Sequence, residues 1–479
     1  MTMREALQQL AEAAQQSGQR LYLVGGWVRD ALLGLPEPRN VDLAIPRGAV
    51  AFAERMARRL GGHFVLLDAE HGSARIVCQQ ADTAFEVDLS DFRGASIEHD
   101  LRLRDFTVNA MAYDLAAHLE GHAVLLDPLG AHEDLRAKRL RATSPQAFRD
   151  DAVRILRGSV FAARLGFHLE AQTAGWMRAA VPQLSSIAAE RVREELFKLF
   201  TTAQSSPHVR FLDEIGVLDA VIPEIAACRG VAQGGYHHLD VWDHSLETLQ
   251  QLEEILAHPE AFPAELREPV AAYLQAPIRS LHPRSALLKF SALLHDIGKP
   301  AKKIVNTEQE IWFTGHEHHG ADLAVAIAQR LRLSVDEQQS LERIVTWHLR
   351  PGYLVKEPER TRRAIYRYFR DTGDDAPAVL LHWLADRAAS RGPATDPATI
   401  PQQREIVFEL LRHYFLRPEE TVRLPKLVRG DELMAALGLL AGPLIGQLLR
   451  QIEEAQAERQ VTTRDEALAF AKQVVAQRR

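Results

Sequence analysis

Near Ser144 the hydrophobic pattern of this chain changes period, and that change limits its possible folds more than any other feature. Before it, short apolar runs alternate at every second residue. "RLYLVGG" ends on a glycine pair, "VDLAI" alternates, and "ARIVCQQ" and "TAFEVDLSDF" read as a hairpin-like pair. After it, strand signals vanish. "AFRDDAVRILRGSVFAARLGF" and "AAERVREELFKLF" carry apolar residues at helical spacing. The remainder is helical almost throughout, with breaks near "HPEAFPAEL", "SRGPATDPATIPQQ" and "FLRPEETVRLPKL". The pattern predicts an α/β head over residues 1–140 and an all-helical body behind it. The Pro-rich stretch 392–402 reads as a linker. "MTMREALQQLAEAAQQSGQR" reads as an amphipathic helix without the apolar core or cleavage site of a secretory leader.

A chain of 479 residues exceeds one ordinary core, so roughly three or four domains are expected. No apolar run is long enough to span a bilayer, so no membrane partner is expected. The net charge of −7 excludes a uniformly basic nucleic-acid coat but not a local basic groove. Only Cys78 and Cys228 occur, which argues against a disulfide framework or a cysteine zinc site and points to a reducing, cytoplasmic setting.

The head carries a constellation suited to phosphates and hard cations. Gly25 and Gly26 end a strand and precede "WVRDALLG", where backbone and helix N-terminus can approach a triphosphate; Arg29 follows. Asn40 and Asp42 share one face of a strand, as do Glu86 and Asp88. Acidic groups on adjacent strands suit Mg²⁺, which prefers oxygen ligands. Then "DLRLRDFTVNAMAYD" supplies Arg102, Arg104, Asp105 and Asn109, a polar set able to hold a ribose or phosphates. Each feature alone has a plainer reading: a glycine turn, a capped helix, a salt bridge.

The second half concentrates the histidines. His295 and Asp296 are adjacent within an apolar helix, where burial is costly unless they are paired or bind metal. With His244 before and Asp386 after, they form a set of two imidazoles and two carboxylates. His316 and His348 would extend it to a metal pair. In "PERTRRAIYRYFRDTG", Arg363, Arg367 and Arg370 follow i, i+4, i+7 spacing and share a helix face, as a phosphate-contacting stripe or a solvated surface would.

Taken together, the pieces "LVGGWVRDALLG", "VDLAI", "VDLSDFRG", "RDFTVNAMAYD", "DPLGAHEDL", "FRDDAVRILRGSVFAARLGF" and "ERVREELFK" resemble, in order, the class II tRNA nucleotidyltransferase and bacterial poly(A) polymerase family. The resemblance implies an α/β nucleotidyltransferase head with a mixed sheet and polymerase-β-like palm. An all-α neck, an HD domain and a helical tail would follow in an elongated multidomain chain. The expected boundaries are 1–140 for the head, 141–230 for the neck, 231–395 for the HD domain and 396–479 for the tail. By position, Asn40 and Asp42 stand where the family has its metal-binding Asp pair, and Asp88, five before Arg93, stands for its third acid. Arg104 and Asp105 match the ribose-reading motif, with Leu103 in place of its first Arg.

Asp151 and Arg154 match the family's base-reading pair, with Asp150 in place of the usual Glu; Arg157 continues that run. At i and i+3 on a helix the two would point the same way. A carboxylate accepting from an exocyclic amino group beside an Arg donating to a ring acceptor fits cytosine and adenine. The resemblance therefore implies addition of C and/or A to the tRNA 3′ end from CTP and ATP with Mg²⁺. Only ten residues separate Arg93 from Arg104, a short segment typical of CC-adding relatives. A-only and poly(A) addition are also compatible with the base-reading pair.

The histidine set resembles the HD phosphohydrolase superfamily, which implies a transition metal such as Ni, Mn, Fe or Co. It implies a second possible activity, phosphatase or 2′,3′-cyclic phosphodiesterase on RNA ends or nucleotides, with a head attenuated at Asn40 serving in RNA binding. The C-terminal segment resembles the helical body that holds tRNA in the same enzymes.

Overall fold

A computed structural model describes residues 1–80, 83–279, 282–308, 310–357 and 359–477. The chain divides into two compact units, Met1–Glu195 with Leu212–Val221, and Leu196–Phe211 with Ile222–Arg479.

In the first unit the alternating runs become six strands. They are β1 (Tyr22–Val24), β2 (Asn40–Ile45), β3 (His63–Asp68), β4 (Ser73–Gln80), β5 (Thr83–Asp91) and β6 (Ala112–Asp114). Their order is β3-β4-β5-β2-β1-β6; β2 and β5 run parallel and the other neighbours antiparallel, so the sheet is mixed as expected. Period two sorts the residues. Val41, Leu43 and Ile45 of β2, Ala74, Ile76 and Cys78 of β4, and Val87 and Leu89 of β5 are all buried. The helix Ala49–Leu60 covers β3, β4 and β5 and buries Phe52, Ala53 and Met56. Fully burying such a side chain contributes about 1.5–3 kcal/mol. A one-residue slip would turn every one of them out, so burial fixes the register. The alternate residues, Asn40 and Asp42, Glu86 and Asp88, Ser73 and Arg75, are thereby held on the opposite face.

The second unit is helical. Within the helix Arg284–Leu294, every residue from Ala286 to Leu294 is buried, as befits a helix packed on all sides by its neighbours Val241–Ala257, Ala264–Gln275, Val335–Trp347 and Ala376–Ala389. Lys289 is tolerated there because its ammonium donates to Glu253 at 2.8 Å and to the Thr202 carbonyl at 2.6 Å. The helices Gly430–Leu437, Pro443–Ala457 and Arg464–Ala476 enclose a separate small core around Leu433, Leu448 and Ile452. Cys78 and Cys228 are buried and free. Among the described residues no helix is long and apolar enough to cross a membrane.

Two expectations change. Strands do recur after Ser144, as His168–Leu169, paired with Arg139–Leu140 just before that point, and as Ile304–Val305 with Ile311–Trp312; runs this short leave no periodicity to read. The stretch 392–402 is not a free linker. The Gly392 and Ala394 amides donate to the Tyr236 and Gly235 carbonyls at 2.9 Å, and the helix Ile400–Leu416 begins within it and packs on Ala376–Ala389. A side chain at Gly392 would collide with the backbone of residues 235–237, so the glycine is needed for this approach.

Candidate active site and metal centre

The sheet register builds the head site. Across β4, β5 and β2, Arg75, Asp88 and Asp42 form one row, Val77, Glu86 and Asn40 the next, and Ser73, Ser90 and Ala44 a third. Asp42 and Asp88 are thus directly paired on parallel strands. Gly25, at φ +70°, ends β1 above them; a Cβ there would lie 3.0 Å from Asp42 Oδ2, so only glycine leaves the carboxylate open. Burial pushes the Asp42 carboxyl above its ordinary value, with Arg104 opposing. A divalent cation would relieve that cost, and the donor set of Asp42, Asp88 and the Asn40 carboxamide is all oxygen, as Mg²⁺ requires. The residues therefore fit a hard cation, with Asn40 the uncharged member. Its amide nitrogen faces Asp88 Oδ2 at 3.4 Å.

Around this row lies a cleft of roughly 470 Å³ lined by six arginines and four aspartates, a locally basic balance in an acidic chain. That balance suits a polyanion such as a triphosphate. Arg29 Nη1 donates to Asn109 Oδ1 at 2.7 Å, Asn109 donates to Asp105 Oδ1 at 3.2 Å, and Arg157 Nε pairs with Asp105 Oδ2 at 2.9 Å. Burial works to raise the Asp105 carboxyl, but Arg157 and these hydrogen bonds hold it below the usual carboxylate range. The guanidiniums of Arg29 and Arg157 both stand over the Phe161 ring, at 5.5 and 5.3 Å. Arg104 pairs with buried Asp100, which also accepts from the Arg93 amide at 3.0 Å. The short segment between Arg93 and Arg104 is an ordered helix, Ile97–Arg102, capped by Ser96 and held at both ends by Asp100. Gly26, beside Gly25, also lines the cleft.

The pair expected to read the base differs from the expected geometry. Asp151 and Arg154 do not share a helix. One helix ends at Asp150, Asp151 is extended (φ −157°, ψ 98°), and Arg154 opens the next helix, Arg154–Leu165. The two side chains do not stand at i and i+3 of one helix because the helix breaks there, and Asp151 Oδ1 accepts from the Val153 amide at 3.3 Å. Both side chains nevertheless line the cleft. Asp151 is paired with Arg191 at 2.6 Å, and Arg154 donates to the Ala147 carbonyl at 3.1 Å.

The second unit brings His244, His295, Asp296, His316, His348 and Asp386 together in two ligand groups. These are His244, His295 and Asp386, then Asp296, His316 and His348. Three of the imidazoles are set from behind. The Nδ1 atoms of His295, His316 and His348 face the carbonyls of Ala292, Phe313 and Val345, at 3.0, 2.7 and 2.6 Å. This leaves Nε2 bare toward the centre, the usual outer support of a metal-binding imidazole. Those three Nε2 atoms and both Asp296 oxygens are buried and make no well-aligned hydrogen bond, although the Asp296 oxygens lie within ion-pair distance of neighbouring cationic groups. His316 Nε2 lies 3.2 Å from Asp296 Oδ1, and His244 Nε2 lies 2.9 Å from Asp386 Oδ1. Lys299 adds an ammonium at 2.6 Å from Asp296.

Burial works against the charge of Asp296, but His295 and Lys299 overcome it and hold the carboxyl well below its usual range. Burial drives the His348 imidazole down to about 3, so it is neutral and available as a ligand. Orphaned imidazole and carboxylate atoms converging in a buried space fit a divalent transition metal or a pair of them.

Arg363, Arg367 and Arg370 do share a face, and that face is not bare. All three converge on Glu454 of the helix Pro443–Ala457, at 2.6, 2.7 and 3.2 Å. The hydrogen bonds from Arg367, ahead of those from Arg363, pull Glu454 down to about 2. Sequence reasoning missed Arg75, Arg191 and His382. His382 is fully buried, with its ring 4.7 Å from that of His295 and both nitrogens unpartnered. Its position one turn before Asp386 was the available signal.

Three family models match in order. They are the poly A polymerase head domain over residues 21–141, the probable RNA and SrmB-binding site of polymerase A over 166–229, and the HD domain over 241–371. The chain is 34% identical to the A-adding tRNA nucleotidyltransferase of Deinococcus radiodurans, over 94% of both chains. It is also 34% identical to the CC-adding tRNA nucleotidyltransferase of Thermus thermophilus, over 94% of this chain and 92% of that one. Its fold is similar to that of the Thermotoga maritima CCA-adding enzyme complexed with tRNA, with a TM-score of 0.63 at 20% identity, over 98% of this chain and 95% of that one. The chain belongs to the tRNA nucleotidyltransferase and poly(A) polymerase family, and it is a nucleotidyltransferase carrying an HD domain. Both domain types imply divalent metals.

Proposed function

We propose that this enzyme adds C and/or A to the 3′ end of tRNA, without a template, from CTP and ATP. The observation that carries the reading is the pairing of Asp42 with Asp88 on parallel strands beneath an arginine-lined cleft that also contains Asp151 and Arg154. The tRNA 3′ oxygen bonds to the α-phosphorus, the bond to the α–β bridging oxygen breaks, and pyrophosphate departs as the hydroxyl loses its proton. Mg²⁺ held by Asp42, Asp88 and Asn40 would supply hydroxyl activation and charge neutralisation. Gly25 and Gly26 admit the phosphates; Arg29, Arg104 and Arg157 hold them and the ribose, with Asn109 fixing Arg29, Asp100 fixing Arg104 and Asp105 fixing Arg157. Asp151 accepts from the amino group of cytosine or adenine, and Arg154 donates to the neighbouring ring acceptor. In this reading 1–140 is the catalytic head, 141–230 a neck, 231–395 the HD domain and 396–479 a tail that holds tRNA.

The short ordered segment Ile97–Arg102 favours CC addition, while the 34% identity to both an A-adding and a CC-adding relative favours neither. Labelled CTP and ATP offered to tRNAs ending before the first C, the second C and the A separate these outcomes. No incorporation into any of the three would overturn the reading. The missing charge at position 40 gives a further expectation. Asn40→Asp lowers the half-saturating Mg²⁺ concentration by about tenfold, since an added charge beside a cation at a water-exposed position is worth about 1–2 kcal/mol. Initial rates across a Mg²⁺ titration read this, and an unchanged midpoint would mean that position 40 faces no metal.

A second reading rests on the orphaned donors around Asp296. The HD centre would hydrolyse phosphate from RNA ends or nucleotides with Ni, Mn, Fe or Co bound. A tRNA fragment ending in a 2′,3′-cyclic phosphate tests it, and persistence of any cleavage in His295→Ala would rule the centre out.

A further inference from the structure

Arg75 is a charged side chain that the reaction outlined above does not use. It lies in the same row of the sheet as Asp42 and Asp88. Its guanidinium forks both oxygens of Asp88, Nε to Oδ1 at 2.7 Å and Nη2 to Oδ2 at 2.9 Å, and its Nη1 reaches Glu86 Oε2 at 2.7 Å. The Asn40 amide adds a third donor on Asp88 Oδ2. The carboxylate expected to take a cation is therefore already met by a fixed positive charge on both oxygens. The alternation of β4 leaves the guanidinium no exit toward the apolar face, where Ala74 and Ile76 are fully buried.

We infer that Arg75 is a positioning residue that orients Asp88 and lowers the affinity of the head for its divalent cation, a property that rests on the proposed metal role of Asp42 and Asp88. The fork fixes the carboxylate plane, as bidentate Arg–carboxylate pairs do. The same charge opposes a cation arriving at those oxygens, and Asn40 withholds the negative charge that would offset it. Position 40 and position 75 thus act in the same direction, so the head loads metal only at higher concentration than a site with Asp at 40 and no Arg at 75.

Site-resolved metal binding tests this on the full-length protein. Fe²⁺ with ascorbate cuts a chain beside a bound metal. Cuts near residues 40–45 and 86–91 report the head, and cuts near residue 295 report the HD centre. Competing Mg²⁺ against the head cuts gives a metal midpoint without any nucleotide transfer. Arg75→Gln is expected to lower that midpoint by about tenfold or more, because one short-range charge is removed. Arg75→Lys keeps the charge without the fork, so its midpoint stays near that of the unaltered protein while the maximal rate of nucleotide addition falls. A purely structural salt bridge would change the melting temperature of Arg75→Gln and leave the midpoint where it was, which overturns the inference. Head cuts absent from both the unaltered protein and Arg75→Gln, at saturating Fe²⁺, would instead overturn the metal role of Asp42 and Asp88, and the inference with it.

Discussion

Asp42→Asn abolishes nucleotide addition, slowing it by about 10³-fold or more, yet the variant melts no lower than the unaltered protein. The loss is large because electrostatic stabilisation of a transferring phosphoryl group is a dominant catalytic contribution, and single groups of this kind are worth about 10²–10³-fold even where a neighbour survives. Here the neighbours are Asp88, already forked by Arg75, and Asn40, which carries no charge. The stability side follows from the sign of the shift. Burial moves the Asp42 carboxyl upward, and Arg104 does not fully oppose it. A carboxyl raised by folding lends stability below its unfolded value and loses it as pH rises through the folded one. At neutral pH ionised Asp42 is a cost to the fold, and asparagine removes that cost. Single-turnover incorporation of labelled CTP or ATP and a thermal melt at neutral pH read both halves. A variant that is inactive only because it unfolds would contradict the account.

Asp296→Ala empties the HD centre and destabilises the second unit. Asp296 is the hub: His295, His316 and Lys299 lie within 3.1, 3.2 and 2.6 Å of its oxygens. Losing even an outer support of a metal ligand weakens binding by about 10–100-fold, so losing the hub carboxylate costs at least that. The substitution also leaves Lys299 buried without its carboxylate partner, its ammonium still donating to Gln233 Oε1 at 2.6 Å. Breaking a buried pair from one side costs about 3–5 kcal/mol. Metal content after purification and a denaturant midpoint test the two effects. Unchanged metal content would remove Asp296 from the ligand set. Nucleotide addition by Asp296→Ala, assayed below its melting temperature, is expected to persist, since Asp42 and Asp88 belong to a different unit.

Much of this was legible in the sequence, and the limits have physical causes. Period two placed Asn40 with Asp42 and Glu86 with Asp88 on one face, because alternation is a local property of a strand. It did not show that β2 and β5 run parallel in a register that sets Asp42 opposite Asp88 and Asn40 opposite Glu86. Arg75 was invisible for the same reason: one arginine in an alternating run acquires meaning only when the pairing of β4 with β5 is known. The helical spacing of Asp151 and Arg154 misled, because three-residue spacing is the same whether or not the helix breaks between them, and here it breaks at Asp151. The arginine stripe at 363, 367 and 370 was read correctly as one face. Its partner Glu454 lies more than 80 positions away, beyond any local pattern. The histidine set was legible because His-Asp within an apolar run is improbable without a partner, although the helix Arg284–Leu294 ends just before the pair, whereas His382 sat in an apolar run as a core residue would.

The central claim is that two separate sites occupy this chain and that nucleotide addition belongs to the head. Incorporation of labelled CTP and ATP into 3′-truncated tRNA by the unaltered protein, Asp42→Ala and His295→Ala tests it most directly. Incorporation is expected from the unaltered protein and from His295→Ala, and none from folded Asp42→Ala. Incorporation that survives in Asp42→Ala, or disappears in folded His295→Ala, would contradict it.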